Sequence, residues 1–127
     1  MVAPIVPAIT DHEVPKILEA AAAAGAGTAG YTVMRLPGAV AGLFEAWLDE
    51  HFPDRKEKVL NRVRELRGGR LNDPNFGSRM RGEGIFAEQV KAVFETSKRR
   101  YGLDQRHYEL SAEAFRRPGQ MVQLGLF

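Results

Sequence analysis

The order of apolar and polar positions in the first 37 residues predicts a strand, a helix and a second strand. Residues 2–6 form a short apolar run beside prolines, which is typical of a buried strand. An alanine-rich helix follows, with Thr10 and Glu13 in the spacing of a capping box and Gly25 at its end. Residues 29–36 then predict a second strand. This order predicts a βαβ unit with parallel strands.

After Pro37 the apolar positions recur with a helical period. They predict an amphipathic helix that ends before Pro53, with Trp47 in the protein core. The residues that form its apolar face are Val40, Leu43, Phe44, Trp47 and Leu48.

Two further helices are predicted in the second half of the chain. One begins at Asp54, with Glu57 in capping-box spacing, and ends at Gly68. The other runs from about Gly84 to Tyr101. Their predicted buried positions are Val59, Val63 and Leu66 in the first, and Phe86, Val90, Val93, Phe94 and Tyr101 in the second.

The segment 68–84 between these helices is rich in glycine and arginine and is long for a connection without secondary structure. Two interpretations remain open for it. Arg70, Arg79 and Arg81 are suited to contact phosphate, or the segment is a surface loop that Phe76 pins to the core.

The predicted fold class is α/β, with one βαβ unit followed by about three helices and an extended C-terminal tail. Two parallel strands do not make a stable sheet by themselves, so the architecture is expected to be incomplete, as in a piece of a longer protein. The predicted regions are 1–37 for the βαβ unit, 38–118 for the helices and 119–127 for a flexible tail.

The net charge of +2 conceals an asymmetry between the two halves. Residues 1–60 carry 5 Lys and Arg against 8 Asp and Glu, whereas residues 61–127 carry 13 against 8. A basic half rich in arginine favours nucleic-acid contact, although a solvated helical face gives a similar count. The candidate contact residues are Arg67, Arg70, Arg79, Arg81, Lys98, Arg99 and Arg100.

The chain has no cysteine, which excludes disulfides, thiolate nucleophiles and iron–sulfur ligation by its own residues. His12, His51 and His107 stand in no metal or catalytic motif. The G-x-G-x-x-G match at residues 25–30 follows a helix rather than a strand, which argues against a dinucleotide site. No apolar run is long enough for a membrane span, so a cytoplasmic protein is expected.

Two long stretches of the sequence carry a family resemblance: "APIVPAITDHEVPKILEAAAAAGAGTAGYTVMRLP" and "FEAWLDEHFPDRKEKVLNRVRELRGGRLNDPNFGSRMRGEG". Together they resemble the C-terminal part of bacterial radical S-adenosylmethionine proteins related to spore photoproduct lyase. The resemblance implies that residues 2–6 and 29–36 are the last strands of a partial TIM-like barrel. It also implies DNA repair or another action on nucleic acid, with S-adenosylmethionine and a [4Fe–4S] cluster as cofactors of a full-length parent.

One departure from this family limits what the chain does alone. The family holds its cluster with a C-x-x-x-C-x-x-C motif, and this chain has no cysteine, so the isolated chain is expected to be inactive. The resemblance places Arg35 and Leu36 beside the nucleoside of the cofactor in the parent. Alternatively, Arg35 pairs with a carboxylate.

The last five residues, "QLGLF", resemble the bacterial sliding-clamp-binding pentapeptide, with Gly125 departing from its usual third position. The residues that would contact the clamp are Gln123, Leu124, Leu126 and Phe127. Alternatively, these residues pack on the helices of the chain. The second candidate function is therefore a non-catalytic module that binds DNA or a protein such as the clamp.

An incomplete sheet leaves an edge at residues 2–6 or 29–36 and apolar surface without a cover. The isolated chain is therefore expected to self-associate.

Overall fold

The computed structural model describes residues 1–105 and 111–115. Within these residues, two strands and four helices follow one another, with 3₁₀ turns at Asp11–Glu13 and Pro53–Arg55. The elements are β1 (Val2–Ile5), α1 (Val14–Ala23), β2 (Tyr31–Val33), α2 (Val40–His51), α3 (Lys56–Leu66) and α4 (Gly84–Arg100).

The two strands pair in parallel, which confirms the βαβ unit and the mixed α/β class. Val2 lies opposite Tyr31 and Ile5 lies opposite Val33, with an irregularity between these pairs. Both strands are shorter than the sequence predicts. The reason is that the backbone leaves the ladder: the Val6 amide donates to the Thr10 hydroxyl at 2.8 Å, and the Leu36 amide donates to a carbonyl outside the sheet.

Neither predicted capping box forms. The Thr10 side chain accepts from Val6, so α1 begins at Val14, with Pro15 in its first turn where the missing N–H is not needed. Asp54 lies within the 3₁₀ turn, and α3 begins at Lys56 without a side-chain cap. The helix ends are predicted more accurately, since Gly25 follows α1 in the left-handed region with a φ of 87°.

The first core lies between the sheet, α1 and α4. The rings of Tyr31 and Phe94 meet there at 4.5 Å between centroids. Residues from both 1–37 and 38–118 share this core: Ile5, Val14, Leu18, Tyr31, Val33, Leu66, Ala87, Val90, Phe94 and Leu103.

The second core lies between α2 and α3, where Leu36 and Leu48 meet the apolar side of α3. The buried positions predicted for α3 are confirmed. The prediction for α2 is wrong in part, because Leu43 is 72% exposed and Trp47 is 39% exposed. Among the described residues, α2 packs mainly against α3 and the turn before it, so its other side has no cover.

The last helix, α4, agrees with the predicted span from Gly84 to Tyr101. Val90 and Phe94 are buried as predicted, whereas Val93 is exposed. None of the helices in the described residues combines the length and the apolar character that crossing a bilayer requires.

A candidate nucleic-acid interface on the loop between α3 and α4

The loop from Arg67 to Glu83 is attached to the sheet through a buried arginine. The guanidinium of Arg67 donates to the carbonyls of Val33 and Met34, both at 2.9 Å, and to that of Ser78 at 3.1 Å. Arg67 is only 4% exposed. The prediction that Arg67 contacts nucleic acid is therefore wrong, because its guanidinium N–H groups donate to backbone carbonyls of the chain. Arginine is rarely buried, so its position in the sequence gave no sign of this role.

Backbone hydrogen bonds complete the attachment of the loop. The Val33 amide donates to the Met80 carbonyl at 3.0 Å, and the Leu36 amide donates to the Leu71 carbonyl at 2.9 Å. Close to this contact, Gly82 has a φ of 79°, and a Cβ there would lie 2.9 Å from the Leu66 side chain. The loop therefore occupies the edge of β2 that faces away from β1.

Burying the charged guanidinium of Arg67 costs free energy, because the group loses its hydration. Loss of hydration lowers the pKa of its guanidinium from the usual value, the charge of Arg35 lowers this pKa further, and the charge of Asp73 opposes both. Its Nε has no hydrogen-bond partner within the described part of the chain, nor has Oδ1 of Asn72. The carbonyl contacts of Arg67 offset this cost.

Asp73 organises the tip of the loop. One oxygen of its carboxylate accepts from the Asn75 amide at 2.8 Å, and the other accepts from the Ser78 hydroxyl. The Ser78 hydrogen bond is the largest cause that holds the pKa of Asp73 below its usual value, followed by the Asn75 amide. The letters Asp-Pro-Asn are a turn signal from which this arrangement could have been predicted.

Phe76 projects from the tip and does not pin the loop to the core. Its side chain is 83% exposed, which contradicts that interpretation. The guanidinium carbon of Arg79 lies 3.8 Å from the centre of the Phe76 ring, in the range of a cation–π contact. An exposed aromatic ring thus carries a cation on one side.

The basic residues predicted for nucleic-acid contact fall into two separate groups. The first group, Arg70, Arg79 and Arg81, belongs to the loop. Arg70 and Arg81 are exposed, and the guanidinium carbon of Arg81 lies 4.9 Å from the centre of the Tyr31 ring. The second group, Lys98, Arg99 and Arg100, lies in the last turn of α4, where cations complement the helix dipole.

The structure gives little support to the predicted cofactor residues. Leu36 is 2% exposed and packs in the second core, so its side chain is not available to border a cofactor. Arg35 is half-buried and forms no ion pair with a carboxylate of residues 1–105 or 111–115, so both interpretations of Arg35 stay predictions.

The chain does not fit an iron–sulfur cluster. It has no cysteine, and in the described ranges no group of three His, Asp or Glu side chains is placed to hold a metal ion. No chemical step through such a cluster is therefore assigned to these residues.

Gln123, Leu124, Leu126 and Phe127 lie outside the described residues, and their contact with a sliding clamp stays a prediction. Comparisons of the chain with protein-family models, with curated proteins and with solved structures give no match.

Proposed function

We propose that this chain is the C-terminal module of a radical S-adenosylmethionine enzyme that acts on nucleic acid, and that the loop between α3 and α4 contacts the nucleic acid. The observation that carries the proposal is the exposed ring of Phe76 with the half-buried Arg79 against one side of it, on a loop that is held by its own hydrogen bonds. Arginine and aromatic side chains together are the usual means of binding phosphates and bases.

The charges of the loop support this proposal. Arg70, Arg79 and Arg81 form no ion pair with a carboxylate in the part of the chain that the structure describes. The nearby carboxylate of Asp73 is already engaged by Asn75 and Ser78. The arginines therefore keep donors that can meet the phosphate backbone.

The parallel pairing of β1 and β2 supports the part of the proposal that concerns the parent enzyme. Parallel sheets occur with several strands and with helices on both faces, so a two-stranded parallel sheet suits the end of a larger sheet. The cluster and its electron chemistry would belong to residues outside this chain. The alternative, a non-catalytic module that binds the sliding clamp, depends on residues 123–127, and no contact of the described residues favours it.

Fluorescence anisotropy with a labelled DNA duplex at increasing salt tests the nucleic-acid contact. Replacing Arg70, Arg79 and Arg81 together with alanine should weaken binding and reduce the salt slope by about 0.9 for each lost phosphate contact. The matched control replaces Lys98, Arg99 and Arg100, which removes the same charge at the far end of α4. Equal effects of the two triple variants, or no binding at low salt, would contradict the proposed interface.

A separate measurement addresses the parent enzyme. The longest natural product of the gene is expected to contain C-x-x-x-C-x-x-C upstream and to bind iron and sulfide after anaerobic reconstitution. A gene product without these cysteines would exclude the radical enzyme and leave the binding function as the better proposal.

A further inference from the structure

We infer that the ring of Phe76 is a stacking platform for an unpaired nucleobase, which stacks on the side of the ring away from Arg79. The inference rests on the proposed nucleic-acid function and names the part of the ligand that the loop recognises. It concerns the ring face of a base, a feature that single-stranded DNA, RNA and a base extruded from a duplex share.

The exposure of Phe76 has no explanation in the folding of the chain. Its ring is 83% exposed and belongs to neither hydrophobic core. Burying a phenylalanine side chain stabilises a fold, so a ring left in water forgoes that contribution. Binding a flat apolar partner would recover it.

The backbone holds Arg79 against one side of the ring. Gly77 has a φ of 93°, and the amides of Ser78 and Arg79 donate to the carbonyls of Phe76 and Asn75, each at 3.1 Å. This tight turn returns the chain so that the Arg79 guanidinium lies 3.8 Å from the ring centre. A base that stacks on the ring would extend an existing cation–aromatic stack.

The backbone on both sides of Phe76 is held by hydrogen bonds within the chain. Asp73 ties Asn75 to Ser78, and Arg67 ties the Ser78 carbonyl to β2. Binding would therefore not have to order the backbone around Phe76, which lowers the entropic cost of association.

The surroundings of the ring favour a base over a protein partner. Phe76 is flanked by exposed Pro74, Asn75 and Gly77 rather than by an apolar groove, and the charged residues close to it in the loop are mostly arginines. A base brings one flat ring together with phosphates on either side, and arginines without a carboxylate partner in the same loop suit those phosphates. Bases within an intact duplex already stack on each other, so the ligand must be unpaired.

The experiment compares wild-type protein with Phe76→Leu, which keeps an apolar side chain but removes the aromatic face. Its matched control is Ile85→Ala, which truncates another exposed apolar side chain, at the start of α4. The ligands are single-stranded DNA, single-stranded RNA, an intact duplex and a duplex with one bulged base. Each single-stranded or bulged ligand carries 2-aminopurine, whose fluorescence reports stacking.

Phe76→Leu should bind the single strands at least about fivefold more weakly, with an unchanged salt slope, because stacking involves no counterion. Phe76→Leu should also abolish the change in 2-aminopurine fluorescence that accompanies binding. Ile85→Ala should bind every ligand like the wild type, and the affinity of Phe76→Leu for the intact duplex should be unchanged. If Phe76→Leu loses affinity only for the bulged duplex, the base that stacks on Phe76 is one extruded from a duplex. If it loses affinity for the single strands, the base belongs to a free strand.

If Phe76→Leu binds every ligand like the wild type while the triple arginine variant does not, stacking is excluded and the proposed nucleic-acid contact stands. If the wild type binds none of the ligands at low salt, both the contact and the stacking are excluded.

Discussion

At the scale of single residues, the buried side chain of Arg67 connects two distant parts of the chain. Its guanidinium bridges the end of β2 and the loop by donating to three carbonyls. Removing it would leave the carbonyls of Val33 and Met34 without this donor, whereas the Ser78 carbonyl would still accept from the amides of Arg81 and Gly82. The bond to Val33 is buried, and an unsatisfied buried group costs more free energy than a typical hydrogen bond gains.

Arg67→Met is expected to lower the free energy of unfolding by about 2–4 kcal/mol, because it fills the space but leaves the carbonyls of Val33 and Met34 unsatisfied. Arg64→Met is the matched control: Arg64 makes an exposed side-chain hydrogen bond to Asn61, and its loss should cost less than about 0.5 kcal/mol. Urea unfolding measures both values. Amide exchange at Val33 should accelerate in Arg67→Met, and equal midpoints for the two variants would disprove the bridging role.

At the scale of elements, the loop between α3 and α4 has its own hydrogen-bonded structure, centred on Asp73. The Ser78 hydroxyl and the Asn75 amide both favour the ionised carboxylate, so the folded pKa lies below the usual value of 3.8. Such a group stabilises the loop at pH values above 3.8, and this contribution is lost as the pH falls through the folded pKa.

The melting temperature should therefore differ between the wild type and Asp73→Asn above pH 3.8, and the difference should close at lower pH. Asp54→Asn, which changes an exposed carboxylate in the turn before α3, is the control for the general effect of losing one negative charge. Calorimetry across pH 2–7 follows the difference. A gap that stays constant over this range would show that Asp73 acts through shape alone.

The elements also show what the sequence could predict. Periodicity and glycine stops located α2, α3 and α4 closely, because these signals are local. The failures concern partners that are distant in sequence: Thr10 bonds to Val6 instead of capping α1, and Arg67 reaches β2 across more than thirty residues. Prediction of the candidate interface has the same limit. The sequence shows a loop rich in arginine, but it does not show that Arg67 is the arginine that is buried.

At the scale of the whole molecule, two surfaces lack a cover within the described residues. One is the edge of β1 away from β2, where Ala3 and Pro4 are exposed. The other is the apolar side of α2, where Leu43 and Trp47 are exposed. Apolar surface of this kind commonly marks an interface with another chain.

The chain alone is therefore expected to self-associate at concentrations on the order of hundreds of micromolar, since association depends on mass action. Leu43→Glu should weaken this association by placing a charge on the apolar side of α2. Ala20→Glu, on an exposed position of α1, adds the same charge elsewhere and should leave the association unchanged. Sedimentation equilibrium measures the effect, and a wild-type chain that remains monomeric at these concentrations would contradict the expectation of an incomplete barrel.

The hydrogen bonds at Val33 restrict the symmetry that pairing through the sheet can have. Both backbone groups of Val33 are occupied by the loop, its amide by Met80 and its carbonyl by Arg67, so this side of β2 is closed to another strand. An open filament needs two different complementary surfaces on every subunit, whereas β1 offers one edge. Two copies joined through β1 would be related by a two-fold axis, and that pairing would end at a dimer.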